Sequence, residues 1–150
     1  MENKIVDFLR ESNKTISFAE SCTGGALSKR IVLIPGASEI FQGSIVSYSN
    51  NSKTNILNIN IEDIQKYSAV SEKVAMQMAE GIKNQFLVDY AIATTGYAGP
   101  EGEKVGQVFI ALSSSKRTIV KECFFRGKRR KIVTQAAIEA LTLFHTEIKK

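Results

Sequence analysis

The sequence predicts an α/β fold: one three-layer α/β/α domain with a mixed sheet of about five strands and helices on both faces. Three observations carry that expectation. Short apolar or β-branched runs alternate with segments whose apolar residues recur at helical spacing. Residues 88–93 are apolar at nearly every position, as in a central strand buried on both faces. Two further strand-like runs flank Ser113-Ser114-Ser115-Lys116-Arg117, which reads as the turn of an antiparallel hairpin. At 150 residues and 43% hydrophobic content, the chain matches one core spanning residues 1–150, with no repeat, linker or low-complexity tract.

The elements follow in order. Ile5, Val6, Phe8 and Leu9 set a first helix over residues 2–11, leading into a strand at 15–20. A glycine turn at Gly24-Gly25 opens a second helix through Ala26, Leu27 and Ile31, which should stop near Pro35-Gly36. Residues 44–48 alternate small and large side chains like a strand, and a polar loop from Ser49 to Ser52 ends at Lys53. Residues 54–66 read as irregular, with a short helix over 61–66. Ser71 is the expected N-cap of a longer helix carrying Val74, Ala75, Met78, Ala79, Ile82 and Phe86 on one face. After the strand at 88–93, residues 94–102 form a loop rich in glycine. Strands at 105–112 and 118–125 make the hairpin, and a final helix runs from about 128 to 148.

Composition narrows the function. The N-terminus has no apolar signal core and no run is long enough to span a bilayer, so a cytoplasmic protein without a membrane partner is expected. Two cysteines, Cys22 and Cys123, are too few for a disulfide framework. One histidine and no cysteine pair at ligand spacing argue against a structural zinc site. Lys and Arg number 20 against 15 Asp and Glu, and five of the cations lie in the run from Arg126 to Lys131, so the excess charge is local.

The junction at residues 19–25 concentrates the chemistry: a hydroxyl, a thiol and unpaired backbone N–H groups meet where strand gives way to helix. A serine nucleophile needs a base, and the single histidine, His145, lies in the last turn of the last helix. The remaining partner type is a lysine made neutral by burial, with Lys53 the candidate for Ser21, against the plain alternative of a solvated lysine. Cys22 competes as nucleophile or as a small packing residue, and Thr23 reads as a helix cap. The 96–102 loop either presents N–H groups to an anion or is an ordinary turn. Cations at the start of the final helix oppose its dipole, which suggests a bound anion there, with Arg129 turned toward a cleft and Lys128 and Lys131 solvated. A phosphate-bearing small molecule suits this run better than nucleic acid, because the chain has no Trp and no aromatic residue interleaved with the cations.

Four ordered motifs together resemble the CinA C-terminal domain family: Ala19-Glu20-Ser21-Cys22-Thr23-Gly24-Gly25, Gly43-Ser44-Ile45-Val46-Ser47-Tyr48-Ser49-Asn50 with Lys53, Ala69-Val70-Ser71-Glu72, and Gly96-Tyr97-Ala98-Gly99-Pro100. The resemblance covers residues 3–146. Its stand-alone members are nicotinamide-nucleotide amidohydrolases, which convert nicotinamide mononucleotide to nicotinate mononucleotide and ammonia in pyridine-nucleotide recycling. The resemblance therefore implies a Ser-Lys mechanism with no metal and no cofactor, Ser21 as nucleophile, Lys53 as base and Tyr48 assisting. It implies a substrate pocket drawn from Glu20, Cys22, Thr23, Gly24, Thr95, Gly96, Ala98 and Gly99, with Arg129 and Arg130 near the phosphate, and a homodimer. Three features depart from the family pattern: the segment 101–106 is short, Val133 stands where a further arginine is usual, and Tyr97 replaces a common isoleucine. These departures motivate a second expectation, a nucleotide-binding or regulatory module without turnover.

Overall fold

The computed structural model describes all 150 residues. Seven helices and five strands follow in the order α1 (Glu2–Glu11), β1 (Ile16–Glu20), α2 (Ala26–Val32), α3 (Ala37–Ile40), β2 (Phe41–Val46), α4 (Asn50–Leu57), α5 (Ile61–Tyr67), α6 (Glu72–Phe86), β3 (Tyr90–Gly96), β4 (Gln107–Ser113), β5 (Thr118–Phe124) and α7 (Arg129–Glu147). The strands form one mixed sheet in the order β2-β1-β3-β4-β5. β2, β1 and β3 run parallel, β4 runs antiparallel to β3, and β5 antiparallel to β4. β1 lies inside the sheet with all five residues buried, as expected for a parallel strand covered on both faces.

The pleat sends alternate side chains to opposite faces of the sheet. Ile92, Val108, Ile110 and Leu112 point to one face with Phe18, against α1, α2, α3 and α7. Ala19, Ala91, Ala93 and Ala111 point to the other, against α4, α5 and α6. Small residues on that second face let α6 lie close to the sheet. Gly81 extends the effect: a Cβ there would sit 2.6 Å from the Leu57 carbonyl oxygen, so α4 packs on α6 only because this position has no side chain. That packing fixes the helix carrying Lys53.

Several boundaries differ from expectation. The polar segment beginning at Ser49 is the start of α4, not a loop; Ser49 Oγ accepts the Ser52 N–H at 3.1 Å and caps it. α4 buries only Lys53 and Leu57, one turn apart, Lys53 against Ser21 and Leu57 in the cluster with α6, so tertiary packing overrides the poor helix propensity of Asn-Asn-Ser. α2 ends at Val32, and the short α3 follows Pro35-Gly36 where only a stop was expected. β2 starts earlier and ends before Ser47 and Tyr48, while β3 runs on through Thr94 and Thr95. β4 begins at Gln107. Ser71 caps α6 as expected, accepting the Val74 N–H at 3.2 Å, and the β4–β5 hairpin forms as expected.

Candidate active site

The carboxyl ends of three parallel strands meet at one point. The chain leaves β1 for β2 over one face and returns from β2 to β3 over the other, so β1 ends at the switch in strand connection where ligands bind in open α/β sheets. Ser21 stands just past that end. Its N–H donates to the Thr94 carbonyl at 3.0 Å, and the Ser47 N–H donates to the Glu20 carbonyl at 2.9 Å, so both ladders continue one step beyond the strands.

Lys53 comes to Ser21 from α4. Its Nζ lies 2.9 Å from Ser21 Oγ, 2.8 Å from the Ser47 carbonyl oxygen and 3.2 Å from the Tyr48 carbonyl oxygen. The residue is 1% exposed. Burial disfavours the charged amine and pulls its pKa from 10.5 to about 8. A neutral amine has two N–H bonds and one lone pair. The two carbonyls accept the N–H bonds, which leaves the lone pair for the Ser21 hydroxyl proton.

Seven of the nine buried polar residues lie around this pair: Glu20, Ser21, Thr23, Ser47, Lys53, Thr94 and Thr95. Glu20 was expected at the substrate, but its carboxylate is turned inward. Oε1 accepts Thr23 Oγ1 at 2.6 Å, Gly25 N–H at 3.1 Å and Leu27 N–H at 2.9 Å; Oε2 accepts Ser28 N–H at 3.0 Å and the Ser28 hydroxyl. Thr23 is correspondingly not the cap of α2. The cap position is Gly25, in the left-handed region at φ 101°, and the Glu20 carboxylate meets the N–H groups that a capping side chain would.

Cys22 lines the cleft, and burial pushes its thiol up to about 12, so it is a protonated thiol and not a nucleophile at neutral pH. The backbone N–H groups of Cys22, Thr23, Ala98 and Gly99 donate to no backbone acceptor, whereas Tyr97 N–H is spent on the Gln107 carbonyl.

A cleft of about 290 Å³ opens on Ser21 and Lys53, walled by Ala69, Val70, Thr95 and the Gly96–Gly99 segment, with Tyr48, Tyr97 and Arg129 at its edge. Thr95 Oγ1 donates to the Ala69 carbonyl at 2.8 Å and so fixes the wall. Tyr48 reaches the pair through its carbonyl; its phenol oxygen accepts Arg129 Nη2 at 2.8 Å, and Arg129 also donates to the Gly99 carbonyl. Arg129 is thus exposed yet drawn across the cleft, as its place in the basic run suggested. Glu20, Thr23, Gly24 and Arg130 do not line the cleft, while Asn50 and Glu101, which sequence reasoning missed, do. His145 lies elsewhere, at the end of α7. No group of three or more His, Cys, Asp or Glu is placed to hold a metal ion, and no helix is long and apolar enough to cross a membrane.

Comparison with known proteins agrees with this architecture. The family model of the CinA C-terminal domain matches residues 1–148. A CinA-like protein of Thermotoga neapolitana is 41% identical over the whole chain, and one of Dictyoglomus thermophilum is 43% identical over 94% of it. The chain spans 38% and 35% of the length of those two relatives. Among solved structures, the competence damage-inducible protein A of Klebsiella pneumoniae superposes with a TM-score of 0.96 at 30% identity, covering 99% of this chain and 94% of that one. The competence/damage-inducible protein CihA of Agrobacterium tumefaciens gives 0.93 at 28% identity, covering 97% and 92%.

Proposed function

The chain belongs to the CinA C-terminal domain family, and from that premise we propose that it is an amidohydrolase that releases ammonia from nicotinamide mononucleotide through Ser21 and Lys53. One observation carries the reading: a buried lysine whose amine meets two carbonyls and a serine hydroxyl, and nothing else. Such an amine accepts a proton at a pH where a solvated lysine does not.

The reaction runs in two halves. Neutral Lys53 takes the Ser21 proton as Oγ attacks the carboxamide carbon, and the oxyanion draws on the unspent N–H groups of Cys22 and Thr23 or of Ala98 and Gly99. Lys53 then returns the proton to the departing nitrogen, which leaves as ammonia and gives an acyl-enzyme. Water, deprotonated by the same amine, attacks the ester, and nicotinate mononucleotide leaves as Ser21 regains its proton. Arg129 is the group to pair with the phosphate, exchanging its Tyr48 and Gly99 contacts for a charge-assisted pair.

The test is an ammonia-coupled assay with nicotinamide, its riboside and its mononucleotide. The mononucleotide should turn over fastest, and Ser21→Ala and Lys53→Ala should each lose activity by orders of magnitude. Unchanged turnover in either folded variant would reject the mechanism.

A second reading, a mononucleotide-binding module without turnover, is favoured by the short segment 101–106, whose Glu101 stands at the cleft edge, and by Val133 in place of a further arginine, which leave the cleft built differently from the family pattern around an intact Ser21 and Lys53. Tight binding by calorimetry with no product after long incubation would select it.

A further inference from the structure

The chain has two buried charged side chains, Glu20 and Lys53, and they flank the same serine. The chemistry above uses only one. We propose that Glu20 is the positioning residue of the site, its carboxylate locking the 21–25 turn so that Ser21 Oγ stays within reach of Lys53; the inference rests on the serine–lysine reading.

The pleat of β1 sets up this division of labour. Successive side chains leave a strand on opposite sides, so Glu20 goes toward α2 and Ser21 toward α4. A carboxylate offers about four lone-pair directions, and Glu20 meets five donors, so no direction is left for a substrate. Proton bookkeeping fixes the rest of the network. Ser28 and Thr23 give their single hydroxyl protons to Glu20, so Ser44 Oγ donates to Ser28 Oγ at 2.7 Å and Thr94 Oγ1 donates to Thr23 Oγ1 at 2.8 Å. One carboxylate therefore ties together the ends of β1, β2 and β3 and the first turn of α2. Ser21 sits between two residues held by it, Glu20 and Thr23, with its own N–H fixed on Thr94.

Glutamine at position 20 keeps the size and loses the logic. Its amide nitrogen would face N–H and O–H donors whichever way the side chain turned, and the turn would have to move. A displacement of about 1 Å at a reacting group costs about a hundredfold in rate.

The experiment follows phosphonylation of Ser21 by a fluorophosphonate, read by mass spectrometry on the full chain, with thermal melting to establish folding at the assay temperature. Folded Glu20→Gln should label about a hundredfold more slowly than wild type with an unchanged pH midpoint, because Glu20 does not touch Lys53. Ser28→Ala and Thr23→Val should fall between the two. A folded Glu20→Gln that labels at the wild-type rate, or whose pH midpoint moves, overturns the positioning role while leaving the serine–lysine reading intact. If Glu20→Gln does not fold, the milder pair decides: wild-type labelling in both overturns the proposal, and slowed labelling with an unmoved midpoint upholds it. A wild-type protein that does not label at all overturns the serine–lysine reading and this inference with it.

Discussion

On the proposed serine–lysine mechanism, the pH dependence of turnover follows directly from how Lys53 is buried. With its pKa pulled from 10.5 to about 8 by desolvation, the shift corresponds to about 3 kcal/mol in favour of the neutral amine. About a tenth of the protein then holds a competent base at pH 7 and about a hundredth at pH 6. Ammonia release measured as kcat/KM from pH 5.5 to 9.5 should climb about tenfold per unit and level off above about pH 8. Lys53→Arg, which keeps its proton, should be inactive throughout. A flat profile, a midpoint near the 10.5 of a solvated lysine, or one near the histidine value of about 6.5 would refute the reasoning. Stability supplies an independent check. The unfolded chain holds the lysine proton up to about 10.5 and the folded chain only to about 8, so the unfolded state binds more protons between them and stability rises with pH across that window. Urea denaturation should therefore show wild type gaining on Lys53→Met from pH 8 to 10.5, and parallel curves would remove the buried amine as the cause.

Arg129→Met should raise KM for the mononucleotide about ten- to hundredfold, the loss of a charge-assisted contact of about 1.5–3 kcal/mol, while leaving riboside hydrolysis unchanged; equal effects on both substrates would place Arg129 away from the phosphate. Cys22, a buried thiol pushed up to about 12, should resist iodoacetamide in the folded protein at neutral pH, and alkylation within minutes by mass spectrometry would contradict its assignment as inert. Phe18, fully buried and 5.0 Å from the Phe41 ring, anchors the larger core, so Phe18→Ala should cost about 3–5 kcal/mol in denaturant unfolding; a loss under about 1 kcal/mol would mean that the site collapses around the gap.

Much of the fold was legible because its signals are local. Ser71 capping α6, the apolar run that supplies the first half of β3 and the hairpin around Ser113–Arg117 each depend on nearby residues, and each forms as the pattern suggested, although β3 is shifted toward Gly96 at both ends. α4 was not legible. Asn50, Asn51 and Ser52 have turn chemistry, and what makes them helical is the burial of Lys53 against Ser21 and the packing of Leu57 on α6, licensed by the distant Gly81. The site divides the same way. Motif order and the glycine turn brought Ser21 and Lys53 together on paper, but the carbonyls of Ser47 and Tyr48 that complete the amine's surroundings are main-chain atoms with no side-chain signature. Glu20 had a usable signal: it precedes Ser21 at the end of a strand, so period-two alternation sends it to the opposite side.

That alternation explains why an expensive arrangement is tolerated. A buried amine and a buried carboxylate each oppose folding unless their hydrogen bonds are met, and here they do not meet each other. Lys53 is satisfied by carbonyls beyond β2, and Glu20 by the N–H groups at the start of α2. A direct pair would hold Lys53 charged and useless as a base. Because Glu20 and the adjacent Ser21 leave the chain on opposite sides, the carboxylate has a rigid backbone frame to organise and the amine is free of any carboxylate partner, so that in the proposed mechanism only Ser21 lies between the group that fixes the geometry and the group that moves the proton.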